Sequence, residues 1–319
     1  MDPDENQYFT DESTCKMDRP LPGQLGQRPR FRQKLEKSRY SRPRCGFTIL
    51  ELLTVIAILT VLLALLLPSL GSARESARRI QCQNQLKQVG IALQGYHELN
   101  RSLPPGLQWE GTGQSAYGWA VPLLDLMEQR AVSDLVHADA PLSDPRNFDA
   151  LHSSIATFVC PSDITAASFQ LFAEEDLAES SAPLMELPTA NYLGVFGTIE
   201  ADNGFPVPKG DGAFLDTQAV RFVEFERGLS NTIIVGERTM STVPSTWLGV
   251  DARGEDAVCR LVGSAITSPN CAECDECEFT SRHPGGVNFL WGDGHVEMVS
   301  ENIEQELYRI LSKRNGYVP

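Results

Sequence analysis

Three cysteines spaced Cys271-x2-Cys274-x2-Cys277 carry the sharpest chemical signal in the chain. Thiols at that spacing can form part of a zinc or iron–sulfur site, with Cys259 as a fourth ligand. They can also close disulfides. A second constellation lies near the C-terminus, where nine residues separate His283 from Asp293-Gly294 and His295 follows. Imidazole and carboxylate together can move a proton or hold a metal. The structural alternative is simpler: Asp293-Gly294 suits a tight turn, and His283 hydrogen-bonds a backbone group. Acidic turns at Asp202-Asn203-Gly204 and Asp211-Gly212 offer oxygen ligands for calcium. No twelve-residue loop with a terminal Glu surrounds them, which favours solvated turns. Trp109, Trp119, Trp247 and Trp291 can line a sugar-stacking face or fill a core. No Gly-x-Ser-x-Gly, His-Glu-x-x-His or phosphate-cradling glycine loop is present. The chain is therefore not expected to be an enzyme. No cofactor is expected, with calcium at Asp202 and Asp211 as the alternative.

The element that positions everything else is the apolar run from Phe47 to Leu67, 21 residues with a single charge at Glu51. A bilayer-spanning helix needs roughly 20 residues. A lone carboxylate inside such a run is costly and points to a function. Upstream, Arg28 to Arg44 is strongly basic, and Lys and Arg beside a span stay on the cytoplasmic side. The part beyond the span is then expected outside the cytoplasm, on a single-pass protein of the cytoplasmic membrane.

Gly46-Phe47-Thr48, the Glu at Glu51 and the unbroken apolar run resemble the type IV prepilin signal. That resemblance implies cutting by a prepilin peptidase between Gly46 and Phe47, with N-methylation of the new terminus. It also implies that Glu51 pairs with an amino terminus, its own or a neighbour's, during assembly. Cys45 stands where Arg or Lys is common before the Gly, and Arg44 and Arg42 can supply the charge.

The formal net charge is −15. Without the leader the remainder is more acidic, at −18, because residues 1–46 hold 10 Lys/Arg and 7 Asp/Glu. Nucleic acid, which needs a basic footprint, is excluded as a partner. Cys15 and Cys45 lie in the leader, leaving Cys82, Cys160, Cys259, Cys271, Cys274 and Cys277. An even number in an exported chain favours disulfides, although sequence does not determine their connectivity. Cys82 with Cys160 is the expected bridge from the long helix to the head, with the other four pairing among themselves.

The expected organisation is a cleaved leader over 1–46, a transmembrane helix over 47–70, an amphipathic continuation over 71–100 and a globular head over 101–319. Pro68 is a candidate kink. Cys82, Leu86, Val89, Leu93 and Tyr96 recur on one helical face. Leu103-Pro104-Pro105-Gly106 ends the helix. In the head, strands are expected at 155–160, 191–196, 213–215, 221–225 and 232–235. A short helix is expected over 117–129, and an exposed helical insertion over 166–186. Residues 287–299 read as a hairpin and 301–312 as a closing helix. The fold class is α+β: a long N-terminal helix packed on an antiparallel β-sheet head, pilin-like.

The head adds its own resemblance. Arg79 to Gly90, Leu103-Pro104-Pro105-Gly106, Cys160-Pro161-Ser162-Asp163, Asn191 to Val195, Gly228 to Ile233, Gly236-Glu237, His283 to Phe289 and Asp293-Gly294 occur in this order. The set is similar to a large bacterial family of prepilin-like exported proteins with a C-terminal His-x9-Asp-Gly motif. Arg227 stands where that family usually has Asp. The two resemblances imply a structural subunit of a type IV pilus-like or type II secretion pseudopilus-like assembly. Its expected partners are prepilin peptidase, copies of itself or other pilin-like subunits, and the membrane. The alternative is a membrane-tethered binding protein for glycan or calcium that does not polymerise.

Overall fold

A 52-residue helix, α1 (Ile49–Asn100), leads the fold in this computed structural model. The structure describes residues 47–316 except 165, 175–181, 203–206, 242, 272 and 275–276; within α1 the side chains at 66 and 68–70 are also outside the description. The expected leader, with Gly46, Cys15 and Cys45, lies outside the described residues. So does the middle of the expected 166–186 insertion. The chain divides into two compact units, Met1–Ala57 and Ile58–Pro319, so the later part of α1 folds with the head. The helix runs without interruption through Pro68. The span expected at 47–70 falls in the first part of α1. Among the described residues no helix is long and apolar enough to cross a membrane.

Within the second unit, the stripe Cys82, Leu86, Val89 and Leu93 is buried, and Tyr96 packs at the edge of the core. Gly90 permits a close approach to Leu290: a Cβ there would stand 2.8 Å from its Cδ1. The helix ends where Arg101 turns to φ 60° and two prolines follow.

The strands are β1 (Leu107–Trp109), β2 (Ser115–Gly118), β3 (Ser168–Leu171), β4 (Met185–Pro188), β5 (Tyr192–Gly197), β6 (Ile233–Glu237), β7 (Gly249–Asp251), β8 (Val262–Ser264), β9 (Gly286–Trp291) and β10 (Val296–Ser300). The central sheet runs β10-β9-β6-β5-β8, and a second runs β1-β2-β7. Pairing is antiparallel throughout except for β5 with β8, which is parallel. Alternation along the central strands separates two apolar layers. Leu290 and Tyr192 face the layer containing Leu86 and Leu93 of α1. Val287, Phe289, Leu193 and Ile233 face the other, which Tyr308 closes from the last helix, Gln305–Ser312. The sheet is thus covered on both faces, and every residue of β9 is buried. The fold is α+β, with a helix on antiparallel-rich sheets.

Several local expectations fail for tertiary reasons. Residues 155–160 form no strand: Ala156–Phe158 is one 3-10 turn. Gln85 donates to the Ala156 carbonyl, and Phe158 packs edge-on to Trp119. Residues 221–225 also make a 3-10 turn, with Phe222 stacked on His97 and the Glu224 carboxylate accepting from the Arg221 amide. Tyr117 sits in β2, and only Val121–Leu123 and Asp125–Met127 are helical, as 3-10 turns. The flanks of the 166–186 segment pair as the β3–β4 hairpin rather than as a helix. Ala213 and Phe214 donate to the Val195 carbonyl without forming a strand.

Candidate functional site

Four remote segments converge on one buried point in the second unit. Cys82 from α1, Cys160 from the loop after the 3-10 turn, Glu237 from the end of β6 and His283 from the approach to β9 place their ligating atoms within 4.8 Å of one another. All four are buried, His283 at 1% and Glu237 at 2% exposure. The structure joins Cys82 to Cys160 as a disulfide with Cα atoms 5.5 Å apart. His283 Nε2 lies 3.4 Å from Cys160 Sγ and 3.6 Å from Glu237 Oε1. On the other side of the ring, Nδ1 is 2.7 Å from Glu75 Oε1.

The surrounding hydrogen bonds hold each group in place. Glu237 Oε2 accepts from the Asn288 amide, the Asn288 side chain and the Ser281 hydroxyl. Gln83 of α1 donates to Asn288 Oδ1 in turn. The Cys160 amide donates to Asn191 Oδ1, and Asn191 Nδ2 donates to Asp163. Asp163 also accepts from Arg282 Nε at 2.7 Å and from the Met240 amide. Arg78 and Ser162 donate to Glu75. Burial opposes a charge on His283, but Glu237 and Glu75 outweigh it and raise its pKa above the ordinary histidine value. Burial likewise opposes charge on Glu75, yet Arg78, His283 and Ser162 lower its pKa.

The remaining candidates sit apart. Asp293 and His295 occupy the β9–β10 turn, at the opposite end of β9 from His283. His295 Nδ1 is 2.5 Å from Asp293 Oδ1, and its ring stacks on Trp291. Gly294 has φ 92°, which a turn there requires of glycine. An acid/base or metal set of His283, Asp293 and His295 is therefore not formed. Cys259 pairs with Cys277, and Cys271 with Cys274. Buried Arg238 donates to the carbonyls of Cys259 and Cys277, fixing that bridge. Asp211 accepts from the amide and hydroxyl of Thr198, so its oxygens serve the local turn. Burial and then the charge of Asp256 push Asp202 up to about 6. Neither belongs to a group of three ligating side chains among the described residues. Asn203 and Gly204 lie outside those residues. Trp119, Trp247 and Trp291 are buried and Trp109 lines the core, so the four make no exposed sugar-stacking face.

At the other end of the described chain, Thr48 and Glu51 exchange hydrogen bonds. Both the Thr48 amide and hydroxyl donate to Glu51 Oε2, and the Glu51 amide donates back to Thr48 Oγ1. This is a capping box, legible in the Thr-x-x-Glu spacing but missed when Glu51 is read only as an assembly residue. Glu75 and Glu237 were also missed as site residues. In the sequence Gly236-Glu237 is a motif without an evident role, and Glu75 carries no signal beyond its place on α1.

Residues 41–67 match the prokaryotic N-terminal methylation motif. Residues 71–306 match the family described as protein of unknown function (DUF1559). No curated protein and no solved structure gives a significant match. The segments that build the buried cluster all fall inside the larger match, and the two matches follow one another along the chain: it belongs to the DUF1559 family and carries the N-terminal methylation motif of a prepilin-like protein.

Proposed function

We propose that the chain is a structural, non-enzymatic subunit of a type IV pilus-like or type II secretion pseudopilus-like assembly. In this reading a prepilin peptidase cuts between Gly46 and Phe47. Before assembly, residues 47–67 anchor the protein in the cytoplasmic membrane with the head outside. The observation that carries the reading is Glu51 set in a methylation motif and within an apolar helix surface that the other described residues leave uncovered. Ile49, Leu50, Ile58, Val61 and Leu65 are each at least 60% exposed. A contiguous apolar surface of this kind needs lipid or like helices. Once cut, such helices leave lipid by packing on one another, and a neighbour's amino terminus neutralises Glu51.

The test is the mass of the mature N-terminus together with sedimentation of filaments sheared from cells. The expected chain starts at a methylated Phe47 and pellets with filaments, and Glu51→Val leaves cleavage intact but lowers incorporation. A processed chain that stays wholly in the membrane fraction would favour a tethered binding protein. A purified chain that keeps residues 1–46 would remove the reading altogether.

A further inference from the structure

We propose that Cys82, Cys160, Glu237 and His283 form a closed binding site for a divalent transition ion of the zinc class when the two cysteines are thiols. This is independent of the filament reading, which concerns residues 46–67. Two sulfurs, one imidazole nitrogen and one carboxylate oxygen are a donor set suited to zinc. In a tetrahedral zinc site with bonds of about 2.0–2.3 Å, ligand atoms stand about 3.3–3.8 Å apart. Here Nε2 of His283 already lies 3.4 Å from one sulfur and 3.6 Å from the carboxylate oxygen.

Two further observations point to an ion. Glu237 Oε1 is buried and accepts no hydrogen bond, while Oε2 of the same carboxylate accepts three. In the disulfide form the positive group facing this oxygen is the His283 ring, 3.6 Å away and beyond hydrogen-bond distance; in the thiol form an ion between the two would meet the oxygen directly. On His283, Glu75 engages Nδ1 and so turns Nε2 toward the cluster. A carboxylate behind a metal-binding histidine sets its tautomer and orientation in this way.

On binding, the two thiol protons, and the Nε2 proton where His283 is charged, leave for solvent. Four new bonds to the ion replace them, with no change of oxidation state. Four protein ligands leave no open position, so the ion is structural and ties α1 to three segments of the head. The Cys82–Cys160 disulfide is the oxidised form of the same pair and excludes the ion; reaching the thiol form takes two electrons and two protons from a dithiol reductant, which becomes a disulfide in turn.

The test uses the full chain in detergent, with Cys271→Ser and Cys274→Ser to remove the more exposed thiols. It is reduced with a phosphine, desalted and titrated with cobalt(II), then zinc. One equivalent of cobalt is expected, with the near-ultraviolet band of thiolate ligation and the visible bands of a tetrahedral ion, both lost as zinc displaces it. Against a chromophoric chelator, His283→Ala and Glu237→Gln should weaken zinc binding at least about tenfold, and Glu75→Gln by about tenfold. Asp293→Asn should leave it unchanged. If reduction unfolds the chain, refolding on zinc alone supports the site and failure to refold overturns it. The proposal is also overturned by a folded reduced chain that takes up no stoichiometric ion. So it is by binding that survives His283→Ala with Glu237→Gln, or Cys82→Ser with Cys160→Ser.

Discussion

Glu75 and His283, 208 residues apart in sequence, meet at 2.7 Å and tie the long helix to the head beside the Cys82–Cys160 bridge. The imidazole is fully buried, whereas the carboxylate keeps a quarter of its surface. The pair belongs to a larger network, because Arg78 and Ser162 donate to the same carboxylate.

His283→Ala should lower the unfolding free energy of the oxidised protein by about 2–3 kcal/mol, since it leaves Glu237 buried without its nearest positive partner. Glu75→Ala should cost less, about 1–2 kcal/mol, because water can reach its surroundings. Denaturant unfolding midpoints measure both. Equal midpoints for His283→Ala and the unmodified chain would show that the contact contributes nothing.

Glu110 sets an acid limit on stability. The hydroxyl of Thr112, opposed by burial and helped by the amides of Thr112, Ser115 and Gln114, holds its pKa down to about 2. A carboxylate whose folded pKa is depressed adds stability above its unfolded value, and that stability is lost as pH falls from about 4.5 through about 2. Glu110→Gln should therefore be less stable than the unmodified protein at neutral pH, and the two should converge near pH 2. A gap that stayed constant across that range would contradict this cause. Unfolding curves at stepped pH are the measurement.

Two glycines should respond oppositely to alanine. Gly71 lies in α1 with none of the described residues within 4 Å of an added Cβ, so Gly71→Ala should stabilise by about 1 kcal/mol. An added Cβ on Gly106 would run into the backbone of Leu215, whose carbonyl accepts the Gly106 amide. Gly106→Ala should destabilise by about 1–3 kcal/mol. Thermal melts of both variants beside the parent check the sign of each.

The three bridges should open in order of exposure. Cys259 and Cys277 are buried at 0% and 1%, and Cys82 and Cys160 at 0% and 5%, while Cys271 and Cys274 are only partly covered. Exposed disulfides are the labile ones. Limited reduction followed by alkylation and peptide mapping should label Cys271 and Cys274 first. Opening Cys82–Cys160 should cost most, because it closes a loop with sequence separation 78 and chain entropy assigns such a loop about 4 kcal/mol. Early labelling of Cys259 would contradict the order.

Much of the architecture was legible in the residues because it depends on short-range pattern. The apolar run after Gly46, the stripe from Cys82 to Leu93 and the Val287–Val299 hairpin each follow from side-chain periodicity or from a turn residue, and neither requires knowledge of the rest of the chain. Residues 155–160 and 221–225 depart from the expected strands for the converse reason. Their β-rich composition is overruled by contacts with Gln85, Trp119 and His97, which reach them from distant segments. The buried cluster belongs to the same class. Cys82, Cys160, Glu237 and His283 are each separated by dozens of residues, and nothing local marks Glu75 or Glu237 as their companion. Sequence alone determined which chemical groups the chain carries and where its regular elements begin. Only packing α1 on one face of the central sheet decided that these groups meet, because burial of the Leu86–Leu93 stripe against Leu290 sets the register of the whole contact.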